Sequence, residues 1–223
     1  MSVRTPLISA LILALASQVS AAASPQGFAM LNSAMSLKAD PQHGEVLYLK
    51  HCTRCHSPRA WGKGVFAVPS LAGQREFYLI QQLVQFATLG RNVPEMHAVL
   101  AAPDLDRPQS IRDLAAYLAF QARNPRVEHG DGHSLKEGEL IYKRSCAMCH
   151  GKNGEGSEDE PIPAVGGQHY DYLRAQLDGF ATGHRGTVEP PIIDFTAGLT
   201  PQQRHAVADY ISRLTALQLE TTR

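Results

Sequence analysis

Cys146-Ala147-Met148-Cys149-His150 and its earlier counterpart, Cys52-Thr53-Arg54-Cys55-His56, decide how this chain is read. C-x-x-C-H is the attachment sequence for c-type haem. The two cysteines add to the haem vinyl groups as thioethers, and the histidine that follows is held close enough to bind the iron from the proximal side. The two copies use all four cysteines of the chain. Disulfide pairing would leave both histidines unexplained. A four-cysteine zinc site would need closer pairs than these, which lie 94 residues apart. The expected cofactors are therefore two covalent haems c, held by Cys52, Cys55, Cys146 and Cys149, with His56 and His150 as proximal iron ligands.

The repeat extends well beyond the motif. Gly44-Glu45 recurs as Gly138-Glu139, and Tyr48 as Tyr142. Ala72-Gly73-Gln74 recurs as Gly166-Gly167-Gln168, Tyr78 as Tyr172, Phe86-Ala87-Thr88 as Phe180-Ala181-Thr182, and Arg91 as Arg185, all at an offset of 94. Pro108 and Tyr117 recur as Pro201 and Tyr210 at an offset of 93. Register held this long marks two copies of one unit.

Each unit reads as helical with long Gly/Pro loops. A first helix runs from about Gly44, and from Gly138, into the haem motif. A second starts near Gln74 and near Gln168. Its apolar stripe is Leu79, Leu83 and Phe86 in one copy and Leu173, Leu177 and Phe180 in the other. A last helix starts near Pro108 and near Pro201. Ile111, Leu114 and Leu118, like Val207, Ile211 and Leu214, supply its buried face. Thr200, Pro201 and Gln203 compose a capping box. No strand pairs are expected. A unit this small has a modest core, and the haem supplies part of it.

These stretches resemble the class I cytochromes c: Leu71–Leu83, Arg91–Met96 and Leu114–Leu118 in the first copy, Val165–Leu177 and Val207–Ile211 in the second. Two such units in tandem resemble the periplasmic dihaem cytochromes of the c-four type, over residues 40 to 216. The resemblance implies an all-α fold of two tandem class I cytochrome c-like domains, each a few helices wrapped around a covalent haem. The expected layout is a signal peptide over 1–23, a leader over 24–39, the first domain over 40–123, a linker over 124–133, the second domain over 134–216 and a tail over 217–223. The implied function is an electron carrier that relays single electrons between redox partner proteins, such as a membrane-bound terminal oxidase or a reductase.

Composition and the N-terminus agree with that class. Lys+Arg and Asp+Glu balance at 21 each, so no basic surplus points to nucleic acid. Arg4, the apolar run Leu7 to Ala16 and the small residues Val19-Ser20-Ala21 or Ala21-Ala22-Ala23 read as an export signal, too short to span a bilayer. The expected location is periplasmic, soluble or membrane-associated, with no transmembrane segment after cleavage.

The distal side separates the copies. Electron-transfer haems commonly pair His with Met. Met96, in Arg91-Asn92-Val93-Pro94-Glu95-Met96, stands where the family places its axial methionine, with His97 as fallback. The second loop, Arg185 to Asp194, holds no methionine, and none follows Met148. Met148 itself lies between the attachment cysteines on the proximal side. Strict offset puts Pro190 opposite Met96; loop length counted back from Leu199 puts Ile192 there. The second haem is then five-coordinate, or takes another ligand, with His184 nearest in sequence and His169 and His205 further candidates, or borrows Met30 or Met35. The alternative to a carrier is a dihaem enzyme of peroxidase-like or sulfur- or nitrogen-oxide chemistry. Its distal site at the second haem would be open, and Arg185, Glu189 and Asp194 would be its candidate polar groups.

Overall fold

The computed structural model describes residues 24–185 and 190–214. Among them every regular element is helical, apart from one isolated antiparallel bridge between Lys63 and Val68. The first set of elements comprises α1 (Pro25–Ser36), α2 (Pro41–His51), α3 (Thr53–His56), α4 (Glu76–Ala87), α5 (Pro94–Leu100) and α6 (Pro108–Ala119). The second comprises α7 (Leu135–Ile141), α8 (Ala147–His150), α9 (Tyr170–Ala181), α10 (Pro190–Ala197) and α11 (Pro201–Arg213). No helix among the described residues is long and apolar enough to cross a membrane.

The helix starts follow from local chemistry. Asp40 accepts from the amides of Gln42 and His43 ahead of Pro41. Thr200 and Gln203 complete their reciprocal capping box ahead of Pro201. The stripes lie inside: Leu79 and Phe86 are buried on α4, Leu173 and Phe180 on α9, Ile111, Leu114 and Leu118 on α6, Val207 and Ile211 on α11.

Three expectations change. The helices expected near Gln74 and near Gln168 begin two residues on, at Glu76 and Tyr170, and both glutamine side chains reach across to the other unit. The helix expected to run into each haem motif does so with a change of winding: Cys52 is a turn residue between α2 and α3, and a π-turn over Tyr142–Cys146 lies between α7 and α8. The segment 24–39, expected as a leader, starts with a helix: Ser24 accepts from the Gly27 amide at 3.0 Å and Pro25 takes the first helical position. The resulting α1 packs on α4 and α6. Residues 1–23, expected as a signal peptide, and 217–223, expected as a tail, lie outside the described residues.

In both units the first and last helices cross where a glycine lets the backbones meet. A Cβ on Gly44 would sit 2.1 Å from the Asp113 carbonyl oxygen, and one on Gly138 would sit 2.1 Å from that of Ala206. Beside each glycine a tyrosine pair closes the crossing, Tyr48 with Tyr117 at 5.5 Å and Tyr142 with Tyr210 at 5.6 Å between ring centroids. The obstructing atoms are backbone and cannot rotate away. Gly44→Ala and Gly138→Ala are each expected to lose about 1–3 kcal/mol of stability, the cost of overpacking. Denaturant unfolding of the holoprotein reads this directly. A loss below a few tenths of a kcal/mol would show that the helices separate freely.

Candidate functional site

Each haem motif ends in a histidine whose ring is locked from behind. Nδ1 of His56 donates to the Pro69 carbonyl at 3.1 Å, and Nδ1 of His150 donates to the Pro163 carbonyl at 3.1 Å. That bond fixes the tautomer and leaves Nε2 as the free donor atom for a metal. Burial pushes both imidazoles below their usual pKa, against the smaller opposing effect of the proline carbonyl, so each is neutral and able to ligate. The residue after each histidine has a positive φ, 68° at Ser57 and 80° at Gly151. Its carbonyl accepts from a buried tyrosine: Tyr48 Oη to Ser57 O at 2.5 Å, Tyr142 Oη to Gly151 O at 2.7 Å. The turn that aims the histidine is therefore anchored to the first helix.

None of the four cysteines is paired in a disulfide. Cys52 and Cys146 face inward, and burial, with a neighbouring thiol adding to it, pushes each up to about 12. Cys55 and Cys149 are exposed at the rim, as is Met148 between the second pair. A thiol kept protonated in an apolar wall is a poor metal ligand.

In the first unit Met96 is the third residue of α5, partly buried against the first core. Its neighbour His97 is engaged elsewhere, its Nε2 donating to the Arg91 carbonyl at 2.5 Å. In the second unit the third residue of α10 is Ile192, partly buried. The three histidines named for that side are placed as follows. His184 is exposed and hydrogen-bonded through Nδ1 to Thr182 Oγ1 at 2.9 Å. His169 is buried between the units, its Nε2 donating to the Trp61 carbonyl at 2.6 Å while the Glu128 carboxylate lies against the other ring nitrogen. His205 lies 3.8 Å from the Asp178 carboxylate on α11. Met30 packs into the first core on α1, away from the second unit.

Between the units lies a near-symmetric polar clasp that sequence reasoning missed. Gln74 donates from Nε2 to the Ala164 carbonyl at 2.9 Å and accepts from the Ala164 amide at 2.7 Å. Gln168 does the same with Ser70, at 2.8 and 2.9 Å. Ser70 and Ala164 are themselves repeat partners, so each unit gives and receives the same contact, as in an isologous interface. The signal available in the sequence was a glutamine kept at the same place in both copies.

A second paired cluster lies nearby. Arg91 donates to Gln82, Tyr172 and Gln176, and Arg185 donates to Gln176, Tyr78 and Gln82. Each guanidinium also covers its own unit's phenylalanine, Phe86 at 4.8 Å and Phe180 at 4.6 Å. Arg185, named as a candidate distal group for an enzyme, is thus an interface residue. Asp194 is exposed, and Glu189 lies outside the described residues.

Among the described residues neither arginine has a carboxylate partner, and the Nε–H of each is buried without an acceptor. A buried cation left like this is costly unless an anion joins it. A cofactor bearing carboxylates, as haem does in its propionates, meets that need. The locked histidines, the paired thiols and the anion-deficient arginines together fit haem.

The fold and these pockets define a c-type cytochrome of two class I units. Residues 135–215 match the family model described as Cytochrome c. The cytochrome c4 of Thiocapsa roseopersicina is 31% identical over 186 residues, covering 78% of this chain and 93% of that protein. The cytochrome c4 of Azotobacter vinelandii is 31% identical over 182 residues, covering 73% and 84%. The crystal structure of reduced recombinant cytochrome c4 from Pseudomonas stutzeri superposes with a TM-score of 0.70 at 29% identity, over 79% of this chain and all of that one. The chain belongs to the cytochrome c4 family, and is a dihaem c-type cytochrome that carries electrons.

Proposed function

We propose that the chain is a periplasmic relay that passes single electrons between redox partner proteins, ending at a terminal oxidase or reductase. Cys52 and Cys55 would hold the first haem, with His56 and Met96 supplying donor atoms to its iron; Cys146 and Cys149 would hold the second, with His150 supplying a donor atom. The haem supplies the redox chemistry when bound. What the chain contributes is rigidity. Pro69 and Pro163 fix the proximal rings, Tyr48 and Tyr142 fix the turns behind them, and α5 carries Met96 into a packed wall. Fixed ligands in a dry shell reorganise little when charge changes.

The observation that carries the reading is the reciprocal glutamine clasp. Four buried hydrogen bonds, two from each unit, hold the pockets at one separation and orientation. A relay needs that constancy, because the rate of transfer falls steeply with distance. The enzyme reading has lost Arg185 to the interface and finds no buried acid or base near α10 among the described residues.

The test uses the exported protein. Its N-terminus is expected at residue 22 or 24, and its mass should include two haems. After full reduction it should deliver two electrons per chain to an oxidase-containing membrane fraction, with no turnover of hydrogen peroxide or of sulfur oxyanions. Catalytic consumption of such a substrate, or an oxidase that accepts no electrons from it, would refute the relay.

A further inference from the structure

The two units differ most where the far side of each haem would be met. The stretch from the interface arginine to the helix proline is Arg91 to Pro94 in one unit and Arg185 to Pro190 in the other, two residues longer. Counting by repeat offset therefore slips. The helix is a better ruler, because both α5 and α10 begin with proline at the first position and both precede the last helix of their unit. By that ruler Ile192 occupies the place of Met96.

No other described side chain replaces the missing sulfur. The methionines of α1 belong to the first unit, and Met148 is 88% exposed between its cysteines. His169 and His205 are engaged as described above, and His184 is exposed with one ring nitrogen on Thr182. On α10 itself, the hydroxyl of the fully buried Thr196 is turned back into the helix, donating to the carbonyls of Ile192 and Ile193 at 2.7 and 3.1 Å. Among the described side chains of α10, Ile192 is a partly buried aliphatic group and the Thr196 hydroxyl is already spent on the helix.

We propose that the distal side of the second haem pocket, walled by Ile192, is an open binding site for a neutral diatomic gas of the carbon monoxide or nitric oxide type. An isoleucine cannot ligate, so the position opposite His150 stays available. Against the Ile192 side chain an anion would give up hydration that an aliphatic group cannot replace. A neutral diatomic loses almost nothing. The first pocket is closed to the same ligand by Met96. The site rests on the reading that both cysteine pairs carry haem, so the haem count by mass is checked first and independently.

The experiment titrates the dithionite-reduced holoprotein with carbon monoxide and follows the Soret band. One carbon monoxide per chain is expected, half the haem shifting and half unchanged. Cyanide added to the oxidised protein should bind far more weakly. Ile192→Met should abolish carbon monoxide uptake and double the long-wavelength sulfur-to-iron charge-transfer band of the oxidised protein. Ile192→Ala, which only enlarges the wall, should keep the stoichiometry and speed uptake, and so tests the site even where the methionine variant fails to fold. His184→Ala should change nothing. Uptake by neither haem, by both haems, only after His184→Ala, or undiminished in a folded Ile192→Met protein would overturn the proposal.

Discussion

Met96→Leu is expected to erase the sulfur-to-iron charge-transfer band completely, although the chain has two haem motifs. The reason is the asymmetry of the loops. The second contains no methionine, so with Met96 ligating as proposed all of that band would arise at the first haem. Leucine is close to methionine in volume, and Met96 is only partly buried against the first core. The packing cost of the swap is therefore below about 1.5 kcal/mol, and the unit stays folded. What is lost is the donor. Methionine as the second axial ligand raises the haem potential, so its removal must lower it. The fall should be a sizeable part of the roughly 0.8 V over which axial ligands range. Spectroelectrochemistry would show the upper of two well-separated midpoints moving down while the lower stays. Carbon monoxide uptake by the reduced variant should rise to two per chain. A band that persists in the variant would mean that another sulfur serves, and that Met96 is a core residue.

The other large effect concerns the clasp. Gln74→Leu keeps most of the side-chain volume but leaves the amide and carbonyl of Ala164 buried without partners. Gln168→Leu does the same to Ser70. Each orphaned group costs about 1–3 kcal/mol, so either variant should lose a few kcal/mol of interdomain docking. That exceeds what a typical surface change removes. Thermal melting followed at the haems should split from one transition into two as the units uncouple. Internal electron exchange, measured by stopped flow from the reduced to the oxidised haem, should slow in step. The two variants should behave alike, since the contacts match within 0.2 Å. A single unchanged transition in both would show that apolar contacts, not these glutamines, hold the units together.

The glutamines show where sequence reasoning stops. Gln74 and Gln168 read as helix starts, a sound local inference for a polar residue ahead of an apolar stripe. Their real partners, Ala164 and Ser70, lie 90 and 98 positions away and offer only backbone groups, which no pattern of side chains can announce. Arg185 misled for the same reason. It sits in the loop that would line a distal pocket, yet its guanidinium leaves that loop to meet Tyr78 and Gln82 of the other unit. The segment 24–39 read as a leader because its composition is plain. Its helix gains its place from packing on α4 and α6.

The residue order alone settled those features whose causes are local or covalent. The attachment motifs are five consecutive residues. The stripes of α4, α9, α6 and α11 follow from helical period, and the start of α11 follows from a hydroxyl and an amide three residues apart. The missing methionine is a fact of composition. Folding in three dimensions decided the rest, because it depends on which distant backbone atoms come within reach. It brought Gln74 and Gln168 into reciprocal contact, drew both arginines into one buried cluster, and set Ile192 rather than Pro190 at the register of Met96. A side chain's role is written in its neighbours, and for these residues the neighbours are made by the docking of one unit on the other.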